Sequence, residues 1–523
     1  MSKQDKTTNE SQKNQSTQEP SEIVIALVSA VGCDLGHFTR LIEEELDLYD
    51  FSSTKIRVST DFLHTLETPN GSLTKLQLID HLMTVGNNYR SICENNGALA
   101  YAAIAKIAEK RAEFLGNYES KPLEKRAWIV RSLKHPEEVK VLRDTYGDRL
   151  FLIGIHSSEE KRRRTLSNKK RKADPENIID KLISRDTEEK SGHGQHTRDT
   201  FHLSDFFIDE DQNSDKNKAD IERVFKLIFN HPYTTPTFDE YAMYMAFSAS
   251  VRSGDLSRQV GAVLTKDSNI ISTGANDVPK AQGGLYWPIL DENKTHIIDI
   301  KNGRDYTRGF DANKNAIHEL ANDILEKFDL NNISDKYSLT EEEKNSLKDS
   351  IFNKIIKSKL KDITEYGRIV HAEMEAILSC GRSNNSTIDT TLYCTTFPCH
   401  NCAKHIIAAG VMRVVYVEPY AKSKAFEFHN DSISEEKEDG KVLFEPFVGV
   451  GPRSFLDLFS MNLGSGMKMK RKDSQGKVLD WSKESAKLRL AQSDFSYLKE
   501  EDHACYVMSQ QLDMYKNHSL DNS

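Results

Sequence analysis

The residues of this chain best equipped for chemistry are His371-Ala372-Glu373 and Pro398-Cys399-His400-Asn401-Cys402. A Cys-x-x-Cys pair at a helix start puts two sulfurs on one side of the first turn. The helix dipole and the free N–H groups there favour the thiolate form. His371, 28 positions before Cys399, completes a Cys₂His set when a neighbouring helix presents it. Three protein ligands on Zn²⁺ leave the fourth tetrahedral position to water, and the metal lowers the pKa of that water to about 7. Glu373 is not needed as a ligand; a carboxylate beside the water can take its proton and pass it to the substrate. The competing reading of a Cys-x-x-Cys is a structural zinc knuckle or a redox pair. A structural site wants a fourth protein ligand, and His400, between the cysteines, is expected to point away.

Those residues need elements to hold them. A helix over 371–379, a strand over 391–395, a helix over 399–409 and a strand over 413–417 are predicted around them. An apolar helix over 241–251 and two strands, 260–265 and 269–273, joined by a turn at Asp267-Ser268, precede them. Residues 285–366 form a long polar insertion, expected to be largely helical. Upstream, the apolar run Ile23–Val31 predicts a buried strand that ends in Gly32-Cys33-Asp34-Leu35-Gly36 and enters a helix over 38–48. Further strands at 127–130 and 150–155, alternating with helices at 98–115 and 136–145, indicate a mostly parallel α/β sheet. The expected organisation is a polar disordered tail at 1–20, an N-terminal domain over 21–185, a linker over 186–235, a second domain over 236–470 and a C-terminal tail over 471–523 with one helix in 483–491.

Composition narrows the function. Seventy-one Lys and Arg against 80 Asp and Glu give a net charge of −9, which argues against a chain held to nucleic acid by phosphate neutralisation. The basic stretch from Lys161 to Lys172 is read as a solvated loop or lid rather than a nucleic-acid patch. The apolar run at 23–31 is far short of the roughly 18 residues of a membrane span, so no membrane partner is expected. Seven cysteines without a secretory leader point to a cytoplasmic protein without a disulfide framework. Cys380 and Cys394 read as packed small apolar residues.

His-x-Glu followed by Pro-Cys-x-x-Cys is the signature of the zinc deaminases that act on C4 of cytosine or C6 of adenine. Residues 238–420 resemble a deoxycytidylate deaminase domain of the cytidine deaminase-like α/β/α fold. The resemblance is carried by Arg252-Ser253-Gly254-Asp255-Leu256-Ser257-Arg258-Gln259-Val260-Gly261-Ala262, by Thr273-Gly274-Ala275-Asn276 and by the two metal motifs. It implies that Arg252, Ser253 and Arg258 lie near a substrate phosphate and that Asn276 contacts sugar and base. Guanidinium forks suit phosphate and an amide offers donor and acceptor; an ordinary surface ion pair is the alternative for each arginine. Trp287 could line the mouth of the site and Tyr420 could stack on the base, or either could simply pack.

Over residues 22–470 the chain is similar to the bacterial anti-phage deoxycytidine-nucleotide deaminases, in which a degenerate P-loop NTPase-like domain precedes the deaminase. The matching segments include Leu27–Gly32, Ser132–Glu138, Thr235–Met243 and Gly303–Gly309. This resemblance implies conversion of dCTP and dCMP to dUTP and dUMP, depleting the pool that a replicating phage draws on. It also implies a homo-oligomer; control of the activity could come from the N-terminal domain as a sensor, from an inhibitory RNA or protein partner, or from oligomer assembly. A functional P-loop needs G-x-x-x-x-G-K-[ST]; here His37-Phe38-Thr39 stands where Gly-Lys-Ser/Thr belongs. Gly32, Gly36 and Thr39 remain the candidates for a nucleotide phosphate at that helix start. The alternatives are a cytosine deaminase acting on single-stranded nucleic acid, a housekeeping dCMP deaminase of pyrimidine nucleotide synthesis, and a non-catalytic regulator, which the joint presence of Glu373 and an intact Cys₂His set disfavours.

Overall fold

The structure, a computed structural model, describes residues 21–69, 71–116, 121–187, 189, 193–328, 337–363, 365–420, 423–462, 469–490 and 495–521. The expected tail at 1–20 lies outside the described residues. The chain divides into two compact units: residues 1–204, 210–234 and 461–523 form one, and residues 205–209 and 235–460 the other.

The first unit is built on a parallel sheet of β1 (Glu22–Ser29), β2 (Ser52–Arg57), β3 (Arg126–Leu133) and β4 (Leu150–His156), in the order β4-β1-β3-β2. Every residue of β1 is buried, the mark of a central parallel strand covered on both faces. Strand β2 escapes the sequence pattern because only Ile56 of its six residues is buried, so no apolar run announces it. The helices Lys75–Ile92 and Ala98–Leu115 carry buried apolar stripes, Leu76, Leu82 and Met83 in one and Ile104 and Ile107 in the other.

Most of the linker expected at 186–235, namely residues 186–204 and 210–234, and the C-terminal tail expected at 471–523 are instead parts of this unit. Ser214–Ile228 is an amphipathic helix that buries Ile221, Val224, Phe225, Leu227 and Ile228. Past 491 the charge content hides a 26-residue helix, Ser496–Asp521. Its Glu501 meets Arg111 in the interior, where the guanidinium Nη2 donates to Glu501 Oε1 at 2.9 Å and to Glu22 Oε2 at 2.8 Å. Charged residues that pair in the interior look like solvent-facing ones in sequence. At 483–491 only the short turn Lys483–Ser485 is helical among the described residues.

The second unit starts with strand β5 (Phe206–Asp209) and the helix Phe238–Ser250, whose Thr237–Glu240 capping box fixes its start. Its six-stranded sheet runs β12-β13-β11-β10-β6-β7. These are β6 (Gly261–Lys266), β7 (Asn269–Ala275), β10 (Thr390–Thr396), β11 (Val411–Glu418), β12 (Ile433–Ser434) and β13 (Val442–Pro446). Strands β6 and β7 are antiparallel; β10, β11, β13 and β12 are parallel. The last strand, β14 (Gly449–Val450), pairs antiparallel with β5.

Side-chain alternation along β10 builds a layer on each face. Leu392 and Cys394 join one cluster with Ala372, Ala376, Cys402, Ala403 and Ile406 of two helices, Ala372–Arg382 and His400–Ala408. Tyr393 points to the other face and hydrogen-bonds Asp239 of the opposite helix. The insertion contributes a small hairpin, β8 (Ile289–Leu290) with β9 (Ile297–Ile298), and the helices Ala312–Glu326 and Glu341–Ile356. Among the described residues, no helix is long and apolar enough to cross a membrane.

Candidate active site

Two helix starts meet at the edge of the second sheet. His371 is the N-cap of Ala372–Arg382, and Cys399 is the N-cap of His400–Ala408. The Cys399 sulfur accepts the backbone N–H of Cys402 at 3.4 Å, the role an Asp or Ser oxygen usually plays at an N-cap. His371 Nδ1 lies 3.4 Å from Cys399 Sγ and 3.3 Å from Cys402 Sγ. The structure brings together the three side chains that the sequence nominated. Among the described residues, no fourth imidazole, thiol or carboxylate joins this group, whose donor atoms lie within 4.8 Å of one another.

One imidazole nitrogen and two sulfurs with a position left over fit Zn²⁺ bound in an open, catalytic manner rather than a closed structural one. His400 is not part of the group; its ring packs edge-on to Phe428.

The electrostatics suit such a site. Cys399 is lowered to about 4, first by a hydrogen bond from the Cys402 thiol and then by His371. Cys402 is pushed up in turn, chiefly because it gives that hydrogen bond. His371 is raised to about 9, foremost by its hydrogen bond to Cys399. Glu373 is only 4% exposed, and burial raises its pKa against the pull of His371. A carboxyl whose affinity for protons is increased in a dry pocket is suited to accept one and hand it on.

Close packing fixes the His371 helix. A Cβ on Gly274 of β7 would stand 2.1 Å from the Ala372 carbonyl oxygen and 2.5 Å from the Ala376 nitrogen, so only glycine lets the helix lie this near the strand. Just beyond β7, Asp277 and Val370 exchange backbone hydrogen bonds, N–H to O at 3.3 and 3.0 Å. This bridge sets Asn276 beside His371 in register, although 95 − 1 = 94 residues separate them in the chain.

Asn276 is buried and its amide holds backbone. Its Oδ1 accepts from Val260 N at 2.7 Å and its Nδ2 donates to Arg258 O at 2.8 Å. A carbonyl lone pair and one amide hydrogen remain for a substrate. Ser253 Oγ donates to the Asn276 carbonyl at 2.6 Å, tying the 252–258 loop to the same residue. Arg252 donates to the Tyr286 carbonyl at 3.0 Å and lies 3.7 Å over the Trp287 ring. Arg258 pairs with Glu418 at 3.0 Å, near Tyr420.

Arg304 carried no role in the sequence reading. It is 5% exposed and donates to Asp277 Oδ2 at 3.0 Å, Asp299 Oδ1 at 2.9 Å and the Tyr286 carbonyl at 2.7 Å. It fastens the insertion to Asp277, the residue whose backbone bridges to Val370. The run Gly303–Gly309 marked the place; the partners are set by the fold.

In the first unit the expected phosphate loop is filled by the protein itself. The Val31 N–H donates to Asp186 Oδ2 at 2.8 Å and the Asp34 N–H to Glu210 Oε1 at 3.2 Å. Gly32, at φ +97°, packs against the Arg162 backbone and Cβ, with a built Cβ only 2.8 Å away. Thr39 Oγ1 donates to the Leu35 carbonyl at 2.5 Å, and Gly36 sits beside the Asp34 carboxylate. Of the N–H groups around the expected phosphate site of Gly32, Gly36 and Thr39, those of Val31 and Asp34 are thus taken by carboxylates of the protein itself. Within the basic stretch after Ser158, Arg163 pairs with Asp180 and Glu159, and Arg162 donates to the Ser157 carbonyl.

The donor set is one that could hold Zn²⁺ with a position open, and the comparisons with known proteins point to a deaminase. Residues 236–418 match the family described as "Cytidine and deoxycytidylate deaminase zinc-binding region". The chain is 30% identical over 183 residues to the deoxycytidylate deaminase of Enterobacteria phage T2, a span covering 35% of this chain and 80% of that protein. It is 30% identical over 185 residues to the deoxycytidylate deaminase of Enterobacteria phage T4, covering 35% and 78%. A dCMP deaminase from cyanophage S-TIM5, solved with dCMP and dUMP, aligns at 17% identity and a TM-score of 0.22, covering 41% of this chain and 98% of that one. The chain belongs to the cytidine and deoxycytidylate deaminase family and is a hydrolytic deaminase.

Proposed function

We propose that the second unit deaminates deoxycytidine nucleotides, dCMP and dCTP, to the corresponding deoxyuridine nucleotides and ammonia. The observation that carries this reading is the meeting of His371, Cys399 and Cys402, with the buried Glu373 two residues beyond His371 on the same helix. His371, Cys399 and Cys402 would hold Zn²⁺, which when bound lowers the pKa of a water to about 7. Glu373 accepts a proton from the attacking water and returns it to N3 of the cytosine. As the C4–oxygen bond forms and the C4–nitrogen bond breaks, Glu373 delivers the second proton to the amine, and ammonia leaves. Asn276 orients the sugar and base through its remaining donor and acceptor. Arg252 and Arg258, on the loop held by Ser253, lie within the segment proposed to meet the phosphate, Arg258 by exchanging Glu418 for it.

The whole-chain resemblance supports a cellular role in which a homo-oligomer of this enzyme drains the deoxycytidine nucleotide pool during phage infection, under the control of an RNA or protein regulator. The test is Glu373→Ala assayed on dCMP and dCTP with metal analysis. Turnover is expected to fall by about 10²–10⁴-fold, the range of general acid–base catalysis, with zinc content unchanged. Normal product formation by this variant would overturn the role of Glu373. Deamination of a cytosine oligonucleotide, but of neither free nucleotide, would overturn the substrate assignment. Nucleotide pools measured in phage-infected cells carrying wild type or Glu373→Ala test the cellular role.

A further inference from the structure

We infer that Arg304, carried by the insertion, is a positioning residue for the substrate phosphate: it neutralises Asp277 and so keeps Arg252 free to meet that phosphate. The inference rests on the function proposed above, in which Arg252 belongs to the segment that faces the phosphate.

Arg304 itself has no capacity left for a ligand. It is 5% exposed. Its Nε donates to Asp277 Oδ2 at 3.0 Å, and its Nη2 lies 2.9 Å from the same oxygen. Its Nη1 donates to Asp299 Oδ1 at 2.9 Å and to the Tyr306 hydroxyl at 3.2 Å. Nη2 also donates to the Tyr286 carbonyl at 2.7 Å. All five N–H groups of a guanidinium are thereby engaged.

Arg252 is the opposite case. Its Nη2 donates to the same Tyr286 carbonyl at 3.0 Å, and its guanidinium lies over the Trp287 ring. Its Nε is buried and has no hydrogen-bond partner among the described residues. A buried donor with nothing to donate to is costly, and a phosphate oxygen is the acceptor that a guanidinium suits best. The two arginines thus hang from one carbonyl with opposite occupancy. The loop that carries Arg252 also rests on Arg304: a Cβ on Gly254 would stand 3.0 Å from Arg304 Cδ.

Asp277 makes the difference matter. It is 1% exposed and follows Asn276 directly. Burial lowers the pKa of Arg252, and Asp277 is foremost among the groups that oppose this, so its charge is felt by both arginines. With Arg304 present, the charges of Arg252, Arg304, Asp277 and Asp299 sum to 2 − 2 = 0. Without it they sum to 1 − 2 = −1. A buried carboxylate stripped of its partner is strongly unfavourable, and Arg252 is the cation at hand to replace it. The phosphate would then meet an excess of negative charge and an arginine already taken. Arg304 acts through Arg252, not by touching the substrate.

The test is isothermal titration of the zinc-loaded full-length chain carrying Glu373→Ala with dCMP, dCTP and deoxycytidine. Arg304→Met in this parent is expected to weaken nucleotide binding about tenfold, the scale of a lost charge-assisted contact, and deoxycytidine binding by less than about twofold. Adding Asp277→Asn removes the carboxylate that captures Arg252 and keeps the oxygen that accepts the Val278 N–H at 2.7 Å. That double variant is expected to recover nucleotide binding to within about threefold of the parent. Arg304→Lys, which keeps the charge and loses the fork, should fall between the parent and Arg304→Met. Melting curves show which variants are folded. A chain merely loosened by the loss of Arg304 would lose nucleoside and nucleotide binding together, and would not regain either on a second substitution. The inference is overturned if folded Arg304→Met, or Arg304→Lys where the former does not fold, binds nucleotides as the parent does. It is overturned equally if nucleoside binding falls as far as nucleotide binding, if the double variant binds as weakly as the single one, or if the parent does not prefer nucleotides to deoxycytidine. Turnover of dCMP and dCTP by the wild type is scored separately: its absence would sink the proposed function, while the binding series still decides the role of Arg304.

Discussion

Two strand-to-helix junctions in this molecule look alike in sequence and end in opposite chemistry. After β10, the chain turns through Pro398 into a helix capped by Cys399; after β1, it turns through Gly32 into the helix Leu35–Asp47 capped by Asp34. At the first, the cap is a sulfur that also faces His371 and Cys402, and its donor capacity converges on a shared point. At the second, Asp186 and Glu210 take the N–H groups of Val31 and Asp34, and Arg162 packs against Gly32. A helix N-terminus is an offer of positive potential; whether it becomes a site depends on whether the rest of the protein has already accepted it.

The comparison can be broken first at the metal centre. Zinc held by thiolate and imidazole is worth on the order of 10 kcal/mol. Cys399→Ala is expected to reduce zinc from near stoichiometric to near zero by metal analysis and to lower the melting temperature with it. Retained zinc would mean that Cys399 is not a ligand. The matching break in the first unit is Asp186→Ala, which strands Lys134 and the Val31 N–H. Removing one partner of a buried pair costs about 3–5 kcal/mol, read as a shift in the urea midpoint. Millimolar sulfate should restore part of this loss in the variant and leave the wild type unchanged. Equal stabilisation of the wild type by sulfate would show that the loop is open to anions after all.

A smaller effect sharpens the account of how the site is held. Gly274→Ala must push the His371 helix from β7, at a cost of about 1–3 kcal/mol of the kind seen in overpacked cores. Denaturant melts measure the loss, and activity should fall with it; an unchanged midpoint would contradict the packing. The smallest concerns His135, the N-cap of Pro136–Tyr146, whose ring accepts the Glu137 N–H at 3.2 Å. Burial, then Arg90 and His196, lower its pKa to about 4. The unfolded histidine, near 6.5, binds more protons over that interval. Its contribution to stability is therefore complete above about pH 6.5 and is lost as pH falls toward 4. His135→Asn keeps an N-cap oxygen without titrating, so the wild-type stability should fall more steeply than the variant's between those values. Parallel pH curves would refute this.

Much of the second unit was legible in the chain. The strands around both motifs and the two helix starts follow from local apolar patterning and from spacing, because each depends on residues within one or two turns; the trio His371, Cys399 and Cys402 was nominated by residue type and spacing. The roles left to Arg304 and Asp277 were not legible. Each acts through a partner from a distant segment, and an arginine destined for a buried carboxylate has the same letter as one destined for water. The same reason hid the helices Ser214–Ile228 and Ser496–Asp521, whose polar residues, Glu501 above all, find their partners only in the folded first unit.

Sequence by itself determined the chemistry available: one imidazole, two thiols and a carboxylate at spacings that a pair of helix starts can present together, in an alternating α/β pattern. Tertiary structure decided which offers were taken up. It brought Val370 to Asp277 across the long insertion and set carboxylates of residues 186 and 210 on two N–H groups of the loop after β1. Ligand type is a property of a side chain and its near neighbours; vacancy is a property of everything that packs around it.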